Sequence, residues 1–468
     1  MMFFLSIFTA LAIGFLSCLF LFKEIKIVNL RFLVNLSFPI GIGVSSVIFI
    51  YLNLLGLTTY MIFLIEIGML IFLIFKIKNA HPIIYQFEWF NLNKLILNPF
   101  LLLASVIYFY SLIMDVGIYF FDSIQNPHGL WDAWGDWNLG ARFISRDPKG
   151  WANSFHQIIS TMFHTDYPLL QKGFIARCWL ITKNETVWVP IFFCFVFTFC
   201  TIGLLASSVS YFTNKTNGLI AGLVLLCTPF FMTMGDSQYA DNTVGYFYLA
   251  TIVLLTFARS EGLAALKPQF LIAAGFTAGL AGWSKNEGLL FIGCLFISQL
   301  TLIFFKNYRE LLVELKYLLV GMLPVLILIV YYKLKIAPPN DIMDAQGGQT
   351  FVKLTDYSRY AVVSKWYLDQ SVSFGKWAFN PWWLFLFGIL FNGIQLKENQ
   401  NSLISNFLLL LLMLTGFFLI FIISHLDLVY YLSTSLHRLF FQLFPSFIFI
   451  YFLAIKSNIR SQKLDLAN

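Results

Sequence analysis

Apolar residues in this chain run in long blocks separated by short polar breaks. A membrane helix needs about 20 consecutive apolar residues. Blocks of that kind predict spans at 3–22, 31–54, 58–76, 99–120, 186–211, 217–234, 241–258, 266–283, 287–305, 313–333, 382–396, 403–424 and 437–455. The break at 283–287 is made by WSKNE inside a longer apolar stretch. The expected fold class is all-α: a polytopic helical membrane protein with about 13 transmembrane helices.

Composition narrows the function classes. Hydrophobic residues make up 59% of the 468 and charged ones 11%, where a soluble domain carries roughly 25% charged. A soluble enzyme, a disordered chain and a nucleic-acid-binding module are excluded. The net charge of +7 fits a membrane protein with Lys and Arg in its cytoplasmic loops, and implies no nucleic-acid partner. The six cysteines form no CxxC pair and no Cys/His cluster, so neither a disulfide framework nor a zinc site is expected. The opening run MMFFLSIFTALAIGFLSCLFLF lacks a basic start and reads as a retained span, not a signal peptide.

The basic loop residues set an orientation. Lys23, Lys26, Arg31, Lys76, Lys78, Lys94, Lys215, Arg259, Lys267, Lys306, Arg309, Lys316, Lys397, Lys456, Arg460 and Lys463 all fall on one side. By the positive-inside rule that side is the cytoplasm. The N-terminus is then outside and the C-terminus inside. The outward loops are 121–185, 235–240, 284–286, 334–381 and 425–436. Two of these are far longer than the median connection of about 4–6 residues. They also carry Arg142, Arg146, Lys149, Lys172 and Arg177, then Lys333, Lys335, Lys353, Arg359, Lys365 and Lys376. Cations facing outward suit a site for an anionic substrate.

The first long loop is expected to hold short amphipathic helices at 133–144 and 168–181, the second opening behind Pro168. Their Trp, Phe and basic residues suit the membrane interface. In the second long loop PPNDIMDAQGGQ reads as flexible and DYSRYAVVSKWYLDQ as another interfacial helix.

Candidate chemistry gathers at the outward ends. In WDAWGDWN, Asp132 and Asp136 stand four apart, on one face of a helix, with Arg142 further along. Carboxylates accept sugar hydroxyls, aromatic faces stack on sugar rings, and arginine pairs with phosphate. An interfacial aromatic belt with solvated acids fits the same residues. His164, Asp166 and Tyr167 lie in HTDYP, where helix capping is the plainer account. Asp236 and Asp241 sit in a short acidic turn. Lys285 and Glu287 lie close to a membrane core, where charge marks a functional site by default. Arg438, beside His437, could equally snorkel to headgroups. Glu66 and Asp115 are intramembrane acids for which the sequence names no partner. Walker A, HExxH and GxSxG motifs are absent, so ATPase, zincin and serine-hydrolase readings lack support.

The order of these motifs resembles the GT-C superfamily of integral-membrane glycosyltransferases. It is most similar to bacterial members related to protein O-mannosyltransferases and the aminoarabinose transferase. WDAWGDWNLGARF (131–143), HTDYPLL (164–170), QYADNTVGYF (238–247), GLAGWSKNEGLLF (279–291) and SLHRLFFQLFP (435–445) carry the resemblance. It implies a GT-C-like module at 99–333, after an N-terminal three-span segment (1–98) and before a lid-like loop (334–381) and a C-terminal three-span segment (382–468). It implies transfer of a sugar from a polyprenyl-phosphate donor to a lipid, glycan or protein acceptor on the extracytoplasmic face. A first-loop acid would be the general base, which falls on Asp132 or Asp136. His164, Asp166, Tyr167, Asp241 and Glu287 would line the substrate pocket. Lys285, Arg142 and Arg438 would hold the donor phosphate. A divalent metal, used by some members, stays open; no other cofactor is implied.

Two other readings remain. A transporter or lipid flippase should show charges or broken helices near the midplane, whereas here polar residues gather at one mouth. An outer-leaflet glycan polymerase or ligase would share the topology and use a diphosphate-linked donor.

Overall fold

The computed structural model describes residues 2–23, 27–78, 84–86, 98–155, 164–304, 307–340, 349–377, 382–395 and 400–456. The described residues fold into eighteen helices with a short parallel pairing of Ile27–Asn29 with Ile84–Gln86. Much of PPNDIMDAQGGQ lies outside the described residues, as do Lys26, Lys94, Lys306, Lys397, Arg460 and Lys463.

The chain begins with three long helices, α1 (Met2–Leu21), α2 (Leu30–Leu54) and α3 (Thr59–Lys78). α4 (Pro99–Gln125) starts behind an Asn98 cap. The loop after it holds a π turn (Ala133–Trp137), α5 (Asn138–Arg146) and α6 (Leu170–Thr182). The central part comprises α7 (Trp188–Phe212), α8 (Lys215–Leu226), α9 (Pro229–Asp236), α10 (Ala240–Ala258), α11 (Lys267–Ser284), α12 (Asn286–Leu300) and α13 (Tyr308–Lys335). After it come α14 (Thr350–Thr355), α15 (Tyr357–Ser373), α16 (Trp382–Asn392), α17 (Gln400–Ile423) and α18 (Leu428–Ala454).

Among the described residues ten helices are long and apolar enough to cross a membrane, or eleven counting one bent pair. The difference from thirteen has local causes. The expected span at 217–234 is α8 and α9, bent by 67° at Cys227–Thr228. Pro229 forces the preceding residue out of the helical region, and Thr228 is extended. The block at 382–396 yields only the 11-residue α16, which ends before Gly393 at φ 75°. At 1.5 Å per residue, α16 reaches about 16 Å of a core about 30 Å thick. α10, expected as a span, falls short of that apolar class because it opens on Asp241 and Asn242.

α10 is buried along its whole length and forms the axis of the bundle, against α7, α11 and α18. A helix buried all round carries side chains that must match on every face. Thr251 and Thr277 meet hydroxyl to hydroxyl at 2.9 Å between α10 and α11. α6 is also buried from Leu170 to Trp179. This corrects the expectation of an interfacial helix at 168–181: packed against α1, α2, α3, α5 and α7, α6 has no face left for the membrane surface. The segment expected as DYSRYAVVSKWYLDQ is α15, and Arg359 on it donates to the carbonyls of Phe421, Ile422 and Ser424 at the end of α17.

Candidate functional site

The loop after α4 is tied to the α9–α10 turn before any charged group is placed. Gly129 adopts φ 73°, and a Cβ there would stand 2.5 Å from the Ser237 carbonyl oxygen. The Leu130 amide donates to that same oxygen at 3.1 Å. Gln238 holds the turn with a left-handed φ of 61°, uncommon for a residue with a side chain. Its side-chain oxygen accepts from Asn138 at 2.9 Å, and its backbone carbonyl accepts from Gln171 at 2.8 Å. These contacts bring the π turn, the head of α6 and the head of α10 to one place.

Asp241 is the hub. Its side chain is fully buried. One carboxylate oxygen accepts from Lys285 Nζ at 3.1 Å and Gln442 Nε2 at 2.7 Å. The other accepts from Arg438 Nη2 at 2.7 Å and Nε at 3.3 Å. A buried carboxylate is costly unless paired and hydrogen-bonded, and here both oxygens are met. Arg438 turns its remaining edge outward, where Nη1 lies 2.7 Å from the Asp132 carboxylate. Its guanidinium also covers the Tyr239 ring at 4.7 Å. Asp132 is 32% exposed and stands at the mouth of the cluster.

Lys285 occupies the break between α11 and α12, where its backbone is extended. Its ammonium reaches Glu287 at 2.8 Å as well as Asp241. Burial works against its charge, but Asp241 and Glu287 outweigh this and hold its pKa above the ordinary lysine value. The ammonium also lies 5.5 Å from the Tyr167 ring. Tyr167 stacks on Trp137 with centroids 5.5 Å apart, and Lys172 Nζ lies 5.1 Å from Trp137.

Lys172 Nζ donates to Asp136 at 3.0 Å and to the His164 carbonyl at 3.3 Å, its side chain 1% exposed. Burial raises the Asp136 carboxyl above the usual carboxylate range, with Lys172 pulling the other way. The two acids of the motif therefore differ: Asp136 is enclosed with a lysine, and Asp132 faces the opening. A third group forms around Asp166. Asn286 and Asn340 donate to its carboxylate at 2.6 and 2.7 Å, and Lys333 Nζ donates to its carbonyl at 2.6 Å.

Nine of the ten residues that the resemblance assigns to the site thus meet in one contiguous set; His164 enters it by its backbone and by its ring against Tyr167 at 5.0 Å. Arg142 does not join them. It lies over Trp179 at 5.5 Å and pairs with Glu185 at 3.5 Å. Glu66 gains a partner the sequence did not name, Arg177 of α6, with both side chains fully buried. One carboxylate oxygen of Asp115 has no hydrogen-bond partner. Lys172, Gln442, Lys333, Asn286, Asn340 and Tyr239 were not in the sequence-derived set. Lys172 and Lys333 were among the basic residues of the two long loops, and Asn286, Tyr239 and Gln442 lie inside the motifs that carry the resemblance, though none was singled out; Asn340 carried no local signal. Among the described residues no three His, Cys, Asp or Glu side chains converge as a metal site. The acids of this cluster are engaged by Lys, Arg, Asn or Gln.

The arrangement offers a one-third exposed carboxylate beside two cations fixed on a buried anion. That is the equipment for deprotonating a hydroxyl next to a bound phosphate.

Residues 166–332 match the family model described as dolichyl-phosphate-mannose-protein mannosyltransferase, a GT-C superfamily domain. The match indicates a glycosyltransferase of the GT-C type. It takes in Asp166, Tyr167, Asp241, Lys285 and Glu287, while Asp132, Asp136 and Arg438 lie outside it. No curated protein and no solved structure matches the chain.

Proposed function

We propose that this protein transfers a sugar from a polyprenyl-phosphate donor to a lipid, glycan or protein acceptor at the extracytoplasmic face of the membrane, with Asp132 as the general base. The observation that carries the reading is Arg438 spanning Asp132 and Asp241, which sets a phosphate-binding group against a one-third exposed carboxylate.

Asp132 accepts the proton of the acceptor hydroxyl as its oxygen forms a bond to the anomeric carbon. The bond from that carbon to the phosphate oxygen breaks, and the phosphate leaves with the electron pair. A phosphate leaving group needs no strong acid, but its charge needs cations, and Arg438 and Lys285 supply them. Asp136 is the poorer candidate because it is enclosed and already paired with Lys172, away from the opening that an acceptor hydroxyl would use. Asp241 acts by fixing the cations. Asp166, with Asn286 and Asn340, offers acceptors and donors suited to sugar hydroxyls. The Lys and Arg distribution between the expected spans supports the outward placement.

The test is a transfer assay on the full chain in lipid nanodiscs with polyprenyl-phosphate sugars, alongside mass spectrometry of envelope glycolipids and glycoproteins in the native host. Asp132→Asn is expected to lower transfer by about 10²–10⁴-fold with normal expression and folding. A sugar mass lost in the gene deletion and the variant, and regained with the intact gene, supports the reading. Full transfer by Asp132→Asn removes the base assignment. Absence of any sugar-mass difference removes the glycosyltransferase itself.

A further inference from the structure

Arg438 serves two carboxylates at once, and the two ends differ. Toward Asp241 it uses Nε and Nη2 against an oxygen that is fully buried. Asp241 is held in turn by Lys285 and Gln442. Tyr239 covers the guanidinium face. That end is fixed. Toward Asp132 it uses Nη1 alone, at 2.7 Å, on a side chain one-third exposed. That end is exchangeable.

An anion entering from the mouth meets Nη1 as the outermost edge of the fork. Phosphate and carboxylate compete for the same donor geometry. The Asp132 oxygen that Nη1 meets at 2.7 Å is turned to the arginine, and so is not presented to an acceptor hydroxyl.

We propose that Arg438 is a donor-operated latch. Without donor its Nη1 edge holds Asp132 idle. The donor phosphate takes that edge, and Asp132 is released as a base only when the leaving group is in place. This rests on the donor reading above and adds an order of events to it: the base becomes free only after donor binding, so water is not activated at an empty site. No covalent bond changes in the exchange; one ion pair replaces another.

Binding alone tests this, with full-length protein in nanodiscs, polyprenyl monophosphate as the probe and uncharged polyprenol as the control. Wild type is compared with Asp132→Asn, Arg438→Gln and the double variant. Asp132→Asn frees the Nη1 edge and is expected to bind the phosphate lipid about tenfold more tightly than wild type, the worth of one charge-assisted hydrogen bond. In the Arg438→Gln background the same change is expected to alter affinity less than about twofold, because the effect passes through Arg438. Should Arg438→Gln not fold, Arg438→Lys replaces it; an ammonium lacks the two-edged fork, and the coupling is expected to shrink there too.

Unchanged affinity in Asp132→Asn overturns the latch. Tightening of equal size in both backgrounds also overturns it, since plain charge repulsion by Asp132 then suffices. If neither wild type nor Asp132→Asn prefers the phosphate lipid over polyprenol, the donor reading falls and takes the latch with it.

Discussion

Arg177 on α6 and Glu66 on α3 form a two-point ion pair with neither side chain exposed to solvent. Arg177 also donates to the Ser6 carbonyl of α1 at 3.0 Å. Five residues earlier on the same helix, Lys172 holds Asp136. The pair therefore anchors the helix that carries one wall of the candidate site to α1 and α3. Removing one member leaves a buried charge without its partner, which costs about 3–5 kcal/mol. Glu66→Leu or Arg177→Met alone is expected to lower the thermal midpoint in nanodiscs sharply. The double apolar replacement is expected to recover most of the loss. Equal loss in single and double variants would show that packing, and not charge pairing, fixes α6.

The Asp136 carboxyl predicts a pH effect with a definite sign. Burial, opposed by Lys172, raises its pKa in the folded protein. The folded chain then binds that proton more readily than the unfolded chain, whose value is about 3.9. Its contribution to stability is largest below the unfolded value and declines as pH rises toward the raised folded value. Asp136→Asn should flatten that part of the curve of thermal midpoint against pH. Superimposable curves for wild type and variant would contradict the assignment.

Two glycines set the crossing of α11 and α13. A Cβ on Gly275 would stand 2.0 Å from the Leu318 carbonyl oxygen, and one on Gly321 1.9 Å from that of Ile272. Both neighbours are backbone and cannot turn aside. Gly275→Ala and Gly321→Ala are expected to destabilise by about 1–3 kcal/mol through overpacking. Gly68 and Gly117, also helical, have no atom within 4 Å of an added Cβ. Alanine there should be neutral or stabilise by about 0.5–1 kcal/mol. A thermal-shift series over the four positions separates close approach from helix propensity.

Arg142 and Arg438 should part company in donor binding. Arg142 faces Glu185 and Trp179, away from the acids it accompanies in sequence. Arg142→Ala is expected to change affinity for a polyprenyl phosphate by less than about threefold, in keeping with a partly exposed ion pair. Arg438→Gln should weaken it about tenfold or more. A larger effect at Arg142 would return it to the phosphate site.

Local pattern was enough for much of this. Apolar runs about 20 residues long can form little other than spanning helices, so α1 to α4, α7, α11 to α13, α17 and α18 were legible. So was the break at Lys285, where charge interrupts the run. The charged residues at one set of helix ends made Asp132, Asp166, Asp241, Lys285 and Arg438 candidates, because charge near lipid is kept only where it is used or paired, and the resemblance carried by the order of their motifs singled them out.

The tertiary structure decided the rest. Whether α6 lies on a membrane or inside the bundle depends on what covers its faces, and its own residues suit both. Arg142 stands ten residues from Asp132 and faces elsewhere, while Arg438, some three hundred residues away, reaches it. Helix rotation and depth set those pairings, and they are properties of the packed bundle. Gln442 and Tyr239, uncharged members of the quoted motifs, joined the cluster for the same reason. The sequence by itself determined which charges had to be accounted for. The packing of α10, α13 and α18 around the loop after α4 decided which of them meet, since an ion pair depends on separations of a few ångströms that no hydropathy pattern encodes.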